Sequence, residues 1–197
     1  MKYLSITLLI LALAIGGCAN DPAGPADKQI PPEPNLANGF TNIELDEEAN
    51  ALDTNMGWQV GKLAPEFRWQ AGGKWVSIHD YHGWVVVLQI WSTTCGACYY
   101  QAPYWVDLWQ PYRESDMVFI AYSLDHVYDE WVDFVRSREM NWINIADGRG
   151  WNNSVLHYYN IGFTPNTVII DKTGRIRYRG VIMAMDFDAI MEELLAE

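Results

Sequence analysis

A nearly continuous run of β-branched and aromatic residues constrains the fold of this chain most. It covers Trp84 to Trp91 and reads Trp-Val-Val-Val-Leu-Gln-Ile-Trp. Such a run is typical of a strand that is buried on both faces. Met117 to Leu124 has the same character. Because helical patterns and a late hairpin accompany these two runs, the sequence predicts an α/β fold with a central mixed sheet flanked by helices.

Shorter patterns indicate the other elements. Asp171-Lys172-Thr173-Gly174 is a strong turn that predicts a hairpin near the end of the chain. In residue numbers, the predicted strands are 75–78, 84–91, 117–124, 142–145, 167–170 and 175–179, and the predicted helices are about 96–112, 125–140, 152–159 and 187–195.

The first residues resemble an export signal rather than part of a fold. Met1–Gly17 combines an early lysine, two glycines and an apolar run shorter than the roughly 20 residues that span a bilayer. The ending before Cys18 is similar to the lipobox of bacterial lipoproteins, which implies cleavage there and lipidation of Cys18. An ordinary signal peptide with a coincidental cysteine is the alternative. We expect an exported lipoprotein that faces the periplasm, and Ala19 after Cys18 favours the outer membrane.

Residues 18–56 are acidic and contain several prolines, which predicts an extended tether. The alternative for part of it is a short helix from Asn42 to Leu52 that docks on the domain. Residues 57–197 are predicted as one folded, monomeric domain. The whole chain carries 13 basic and 25 acidic residues, a formal net charge of −12, so binding to nucleic acid is not expected.

Cys95-Gly96-Ala97-Cys98 follows the predicted buried strand and precedes a predicted helix. Unpaired N–H groups and a partial positive charge at a helix N-terminus favour the thiolate form of Cys95. Cys98 lies one turn along and can attack a mixed disulfide formed at Cys95. The spacing therefore indicates an attacking Cys95 and a resolving Cys98, and in an exported chain the pair would form its own disulfide.

Two alternatives involve no redox chemistry. The pair could be a static disulfide, although so short a loop would stabilise the fold little. It could also be half of a zinc site, which needs two further ligands. The histidines lack ligand spacing; they are His79, His82, His126 and His157.

Several segments together resemble the TlpA/ResA-type branch of the thioredoxin superfamily, within the AhpC/TSA-like redoxins. They are Gly61–Phe67 (Gly-Lys-Leu-Ala-Pro-Glu-Phe), residues 84–98 with the two cysteines, Ala102-Pro103, and residues 159–174 with Gly-Phe-Thr-Pro-Asn-Thr. The resemblance runs in order over residues 57–197. It implies a thioredoxin-like fold with an extra N-terminal β-hairpin and a helical insertion, and thiol–disulfide exchange as the activity.

The resemblance also assigns residues around the disulfide. Pro165 would be a cis-proline beside it, and Thr164 would offer backbone groups to an extended substrate. Trp91 would cover the site, and Gly96 and Ala97 would shape it and tune its redox potential.

Two positions depart from the pattern of the family. Acidic residues assist proton transfer at the resolving cysteine in related proteins, and Gln89 and Gln101 occupy those positions here. Neither amide accepts a proton at neutral pH. Deprotonation of Cys98 would therefore depend on water or on the substrate thiol.

Together these inferences predict an exported, membrane-tethered thiol–disulfide oxidoreductase. Its Cys95–Cys98 disulfide would exchange with cysteines of envelope proteins and with an upstream redox donor, without an organic cofactor or metal. A thiol peroxidase is the first competitor, although the Pro-x-x-x-Thr-x-x-Cys arrangement that would polarise a peroxide is absent. A copper-binding assembly factor that uses His157, and a redox-inactive lipoprotein that presents aromatic residues near the cysteines to a partner, are the others.

Overall fold

The computed structural model describes residue 36 and residues 39–197. The predicted signal 1–17, Cys18 and most of the predicted tether lie outside these residues. The strands are β1 (Ile43–Leu45), β2 (Phe67–Ala71), β3 (Lys74–Ser77), β4 (Val85–Trp91), β5 (Met117–Ser123), β6 (Ile143–Ala146), β7 (Asn166–Ile170) and β8 (Ile176–Gly180). The α-helices are α1 (Glu47–Leu52), α2 (Gly96–Trp109), α3 (Tyr128–Ser137), α4 (Ser154–Tyr158) and α5 (Ala184–Ala196). Short 3₁₀ helices cover Ile78–Tyr81, Gln110–Tyr112 and Gly150–Asn152.

A five-stranded sheet in the order β6-β5-β4-β7-β8 forms the centre of the domain. β4 pairs in parallel with β5 and antiparallel with β7, so the sheet is mixed as predicted. All seven residues of β4 are buried. A strand with neighbours at both edges and apolar layers on both faces has no contact with water, and the continuous apolar run of the sequence suits this position.

The two faces of β4 contribute to separate apolar clusters. Its residues 86, 88 and 90 pack in a cluster that includes the N-terminal strands. Its residues 85, 87 and 91 pack in a second cluster with buried residues of α2, α3 and α5. Because side chains alternate along a strand, Gln89 faces this second layer, as α2 does.

The order of elements matches the thioredoxin-like fold that the resemblance implies. β4-α2-β5 forms a parallel unit, and β7-β8-α5 completes the sheet and covers it. The predicted helical insertion lies between β5 and β7 and contains α3, β6 and α4. The insertion thus also adds a strand to the edge of the sheet.

Helix α3 is shorter at both ends than the prediction over 125–140. Asp125 lies before the helix, where its carboxylate accepts hydrogen bonds from another loop. Beyond the last helical residue, Glu139 has a φ of 55°. This left-handed conformation is typical of residues that end a helix.

The folded part begins upstream of the predicted boundary between residues 56 and 57. β1 pairs antiparallel with β2, with Ile43 opposite Trp69, and β2 pairs with β3 in a three-stranded sheet. Ile43 is 1% exposed. The alternative helix over 42–52 is present only as the six-residue α1, which Asp46 caps by accepting a hydrogen bond from Ala49 N at 2.9 Å. Three strand residues are too few to show an alternating pattern in the sequence.

A buried carboxylate joins the N-terminal sheet to the 3₁₀ helix after it. Glu66 forms an ion pair with His79 Nδ1 and accepts a hydrogen bond from Ser77 Oγ. The other ring nitrogen of His79 lies 3.1 Å from the carbonyl oxygen of Ala64. Both ring nitrogens therefore face acceptors, which suits the protonated imidazolium.

Stability is expected to depend on pH through this pair. Burial lowers the pKa of His79, but the hydrogen bond and the negative charge of Glu66 raise it more, so the pKa lies above its usual 6.5. A raised pKa adds stability that is complete below the unfolded pKa and is lost as the pH rises through the folded pKa. His82 stacks on His79 and has the opposite effect on the pH dependence of stability, because burial and the charge of His79 lower the pKa of His82. In urea unfolding, the free energy of unfolding of the wild type should exceed that of Glu66→Gln by more at pH 5.5 than at pH 8.5.

Glu44→Gln is the matched control, because Glu44 is an exposed acid of the same sheet, paired with Arg68 at 3.2 Å. This variant should keep the pH dependence of the wild type. NMR titration of His79 should show its midpoint fall in Glu66→Gln. Equal pH dependence in the wild type and Glu66→Gln would contradict the assignment.

Candidate active site

Cys95 and Cys98 form a disulfide at the start of α2. Cys95 is the N-cap residue of this helix, and its Sγ accepts a hydrogen bond from Cys98 N at 3.2 Å. The backbone N–H at the helix start thus points at the sulfur that would carry negative charge after reduction. The predicted position of the pair, between a buried strand and a helix, is confirmed.

The two sulfurs differ in exposure. Cys95 is half-buried, whereas Cys98 is 3% exposed. Gly96 and Ala97 between them are exposed, and a Cβ added to Gly96 would meet no atom within 4 Å. An incoming sulfur can therefore approach Cys95 but not Cys98, which agrees with the predicted attacking and resolving positions.

The loop before Cys95 is fixed by a carboxylate from the next strand. Asp125, just after β5, accepts hydrogen bonds from Ser92 Oγ at 3.0 Å and from Thr93 Oγ1 at 2.6 Å. Asp125 was not identified from the sequence. A signal was available, since Ser92-Thr93-Thr94 follows the buried run 84–91 and Asp125 follows the buried run 117–124. Parallel strands end at one edge of a sheet, where polar residues that follow them come together.

The Thr164–Pro165 peptide bond is cis, the conformation that the resemblance implied. Pro165 is buried and Thr164 is half-buried. Asn166, the first residue of β7, pairs with Ile90 of β4. Pro165 therefore lies at the edge of the sheet where β4 ends and the cysteine loop begins. The substrate-binding roles of Thr164 and Pro165 stay predictions.

Trp91 lies in the apolar core beside the buried cysteine of the site. It is 2% exposed, shares an apolar cluster with Cys98, and packs against Phe134 of α3 with ring centroids 5.4 Å apart. The covering role that the resemblance implied for Trp91 stays a prediction. Trp91 is the last residue of a strand buried on both faces, so its side chain points inward.

Gln89 and Gln101 lie on the buried side of the site. Gln89 is 2% exposed and faces the layer that contains α2. Gln101 follows Cys98 by three residues and so shares its side of α2. Among the described residues, its Oε1 is buried without a hydrogen-bond partner. Their part in proton transfer stays a prediction.

The aromatic residues near the cysteines separate into exposed and buried sets. Tyr99 and Tyr100 are 46% and 83% exposed. Trp105 is 2% exposed and contacts Phe119 and Phe187 edge-on. Of these residues, Tyr99 and Tyr100 can offer an apolar surface to a partner and Trp105 cannot.

Within residues 39–197, no three His, Cys, Asp or Glu side chains are arranged to hold a metal ion. His79 and His82 stack on each other at 5.1 Å, and His126 Nδ1 lies 2.9 Å from the carbonyl oxygen of Gly148. Independence from metals and organic cofactors stays a prediction.

The family model for Redoxin matches residues 59–186, which include both cysteines and Pro165. The chain belongs to the Redoxin family. Two curated relatives, both thiol-disulfide oxidoreductases ResA, agree with this. The one from Oceanobacillus iheyensis is 30% identical over 136 residues, covering 65% of this chain and 68% of the relative. The one from Bacillus cereus is 29% identical over 119 residues, covering 60% and 67%. This redoxin is thus a thiol–disulfide oxidoreductase of the ResA/TlpA type.

Solved structures support the fold. A thiol-disulfide oxidoreductase from Bacteroides fragilis has a TM-score of 0.61 at 20% identity, covering 68% of this chain and 100% of that chain. The thioredoxin domain of a thiol-disulfide oxidoreductase from Bacteroides vulgatus has a TM-score of 0.60 at 19% identity, covering 69% and 98%. Both similarities agree with the thioredoxin-like order of elements described above.

The difference in exposure predicts selective alkylation of the reduced protein. Iodoacetamide should modify Cys95 at least about tenfold faster than Cys98, because the thiolate at the helix start is the reachable one. Peptide mass spectrometry on quenched samples gives both rates and separates Cys18 from them. In Cys95→Ala, Cys98 should still react slowly. Equal rates at the two positions would contradict the assignment.

Proposed function

We propose that this redoxin is an exported, membrane-tethered enzyme that exchanges its Cys95–Cys98 disulfide with cysteines of envelope proteins. The observation that carries the proposal is a half-buried Cys95 at a helix start, with its buried partner one turn along. A site open on one sulfur and closed on the other suits a partner that brings its own cysteine to the surface.

The exchange proceeds in two displacements. In the reducing direction, the Cys95 thiolate attacks one sulfur of a substrate disulfide, that S–S bond breaks, and the other substrate sulfur leaves as a thiolate. The Cys98 thiolate then attacks Cys95 Sγ, which forms the Cys95–Cys98 disulfide and releases the second substrate thiolate. Two electrons pass to the substrate, and an upstream dithiol donor restores the reduced protein. Oxidation of a substrate dithiol is the same path in reverse.

The proton of Cys98 has no carboxylate at positions 89 and 101 to receive it. Gln89 and Gln101 donate and accept hydrogen bonds but do not take up a proton at neutral pH. The departing substrate thiolate is a base that each turnover supplies beside the disulfide. We propose that it, or water, accepts this proton, so resolution depends on the substrate.

The edge beside Cys95 suits an extended substrate segment. The chain bends there at Phe163-Thr164-Pro165 before entering β7, and Phe163 is 52% exposed. Backbone groups of Thr164 would pair with the substrate backbone, and the exposed Phe163, Tyr99 and Tyr100 rings would contact its side chains.

The start of the chain supports the location. Met1–Gly17 is similar to a lipoprotein signal, and Cys18 would carry the lipid after cleavage. Of the helices in the described part of the chain, none is both long and apolar enough to cross a bilayer. The acidic segment after Cys18 would connect the lipid to the domain, with the outer membrane favoured.

A trap for substrates tests the exchange. In Cys98→Ala the first displacement occurs and the second does not, so mixed disulfides with cysteine-containing envelope proteins should accumulate and disappear on reduction. Non-reducing electrophoresis with mass spectrometry identifies them. Cys95→Ala should give no adducts and lose more than about 99% of insulin-reductase activity. Insulin reduction that survives Cys95→Ala would contradict the exchange chemistry.

The anchor is tested separately. Expressed in a Gram-negative host, the wild type should incorporate labelled palmitate and sediment with outer membranes, whereas Cys18→Ser should do neither. Ser5→Ala is the control for a change within the signal and should behave as the wild type. Palmitate incorporation in Cys18→Ser would refute lipidation at this residue and leave the exchange chemistry untouched.

A further inference from the structure

Asp125 is a buried carboxylate that the exchange steps do not use. It is 4% exposed and lies two residues after the end of β5. It accepts hydrogen bonds from Ser92 Oγ at 3.0 Å, Thr93 N at 3.0 and 3.1 Å, Thr93 Oγ1 at 2.6 Å and Ser123 Oγ at 2.5 Å. All of these groups donate to it, which is the pattern of an ionised carboxylate.

These bonds extend to the nucleophile through the loop. Thr93 N donates to Asp125, Thr94 N donates to Ser92 Oγ at 3.2 Å, and Cys95 N donates to Ser92 O at 3.2 Å. Ser92 Oγ also lies 2.8 Å from Thr94 Oγ1. Three successive backbone N–H groups before the helix are therefore hydrogen-bonded. Asp125 holds that of Thr93 directly and that of Thr94 through Ser92 Oγ.

We propose that Asp125 is a positioning residue for Cys95 whose negative charge also lowers the redox potential of the disulfide. The reduced state carries a thiolate at Cys95, and the disulfide state does not. A fixed negative charge on the loop opposes the thiolate and so favours the disulfide, which makes the protein a stronger reductant. The inference rests on exchange at Cys95–Cys98 and not on the proposed location or partners.

Two further titratable side chains lie beside the loop. Glu130 and His126 line a cavity of about 140 Å³ together with Thr94 and Asp125. His126 Nδ1 is held at 2.9 Å from Gly148 O, and both Glu130 and His126 are exposed. Solvent screens their charges more than that of the buried Asp125.

The chain offers a matched control in Asp171. This carboxylate is also buried, at 5% exposed, and accepts hydrogen bonds from Thr173 N, Thr173 Oγ1 and Arg175 N. It follows Ile170, which pairs with Val86 near the start of β4. Asp171 therefore lies at the opposite end of the sheet from Cys95.

The experiment measures the thiol–disulfide equilibrium constant of the purified protein against a glutathione buffer at pH 7. Asp125→Asn keeps the shape and one acceptor oxygen but removes the charge. Its equilibrium should shift about fivefold toward the dithiol, as expected for unit charges interacting across a partly solvated gap. For a two-electron couple this is about 20 mV more oxidising, since tenfold corresponds to about 30 mV. Asp171→Asn should shift the equilibrium less than about 1.5-fold.

A second variant keeps the proposal testable if Asp125→Asn does not fold. Thr93→Val removes the hydroxyl that donates to Asp125 and loosens the loop. The negative charge stays and is compensated by one donor fewer, so it should oppose the thiolate more. The thiol–disulfide equilibrium should therefore shift at least about twofold toward the disulfide. A folded Asp125→Asn with an unchanged equilibrium, or with a shift equal to that of Asp171→Asn, would overturn the proposal. No shift in Thr93→Val would overturn it as well. If the wild type does not exchange with the glutathione buffer at all, exchange at the cysteine pair itself is refuted.

Discussion

Burial of β4 on both edges and both faces is the constraint on which the site depends. The strand can continue only as long as apolar layers cover it, and it ends at Trp91 where polar residues begin. β5 runs parallel to it and ends at Ser123, opposite Trp91 in register. β7 runs antiparallel and so starts at this same edge, just after Pro165. Three distant parts of the chain meet at one edge because of how a single strand is paired.

The unequal exposure of the cysteines follows from the way α2 packs. Cys98, Ala102 and Trp105 recur at helical spacing and are all at most 3% exposed. They form the stripe that α2 buries against the sheet. Cys95 precedes the first helical residue and lies outside this stripe. The pattern that holds the helix in place therefore also closes the resolving sulfur and leaves the attacking sulfur accessible.

Local patterns predicted the central strands and the position of the cysteine pair. Both the burial of β4 and the start of α2 produce patterns in residues that are adjacent in sequence. Pro165 is different: its cis bond was expected only through the resemblance, since a proline after threonine otherwise indicates a turn. β1 escaped prediction because its three residues acquire a pattern only when paired with β2. The inward position of Trp91 follows from tertiary packing that the four-residue spacing to Cys95 does not encode.

Asp125 was out of reach of local patterns for a related reason, since its partners Ser92 and Thr93 lie more than 30 residues away in sequence. An acid near a disulfide can transfer protons or act as a fixed negative charge, and Asp125 has the surroundings of a fixed charge. An acid that relays protons must exchange them during turnover, whereas both oxygens of Asp125 accept hydrogen bonds that hold the loop before Cys95. Gln89 and Gln101, on the side of Cys98, cannot take up a proton at all. On these proposals the fixed charge acts on the equilibrium of the disulfide, while the proton of Cys98 is left to water or to the sulfur that the substrate brings.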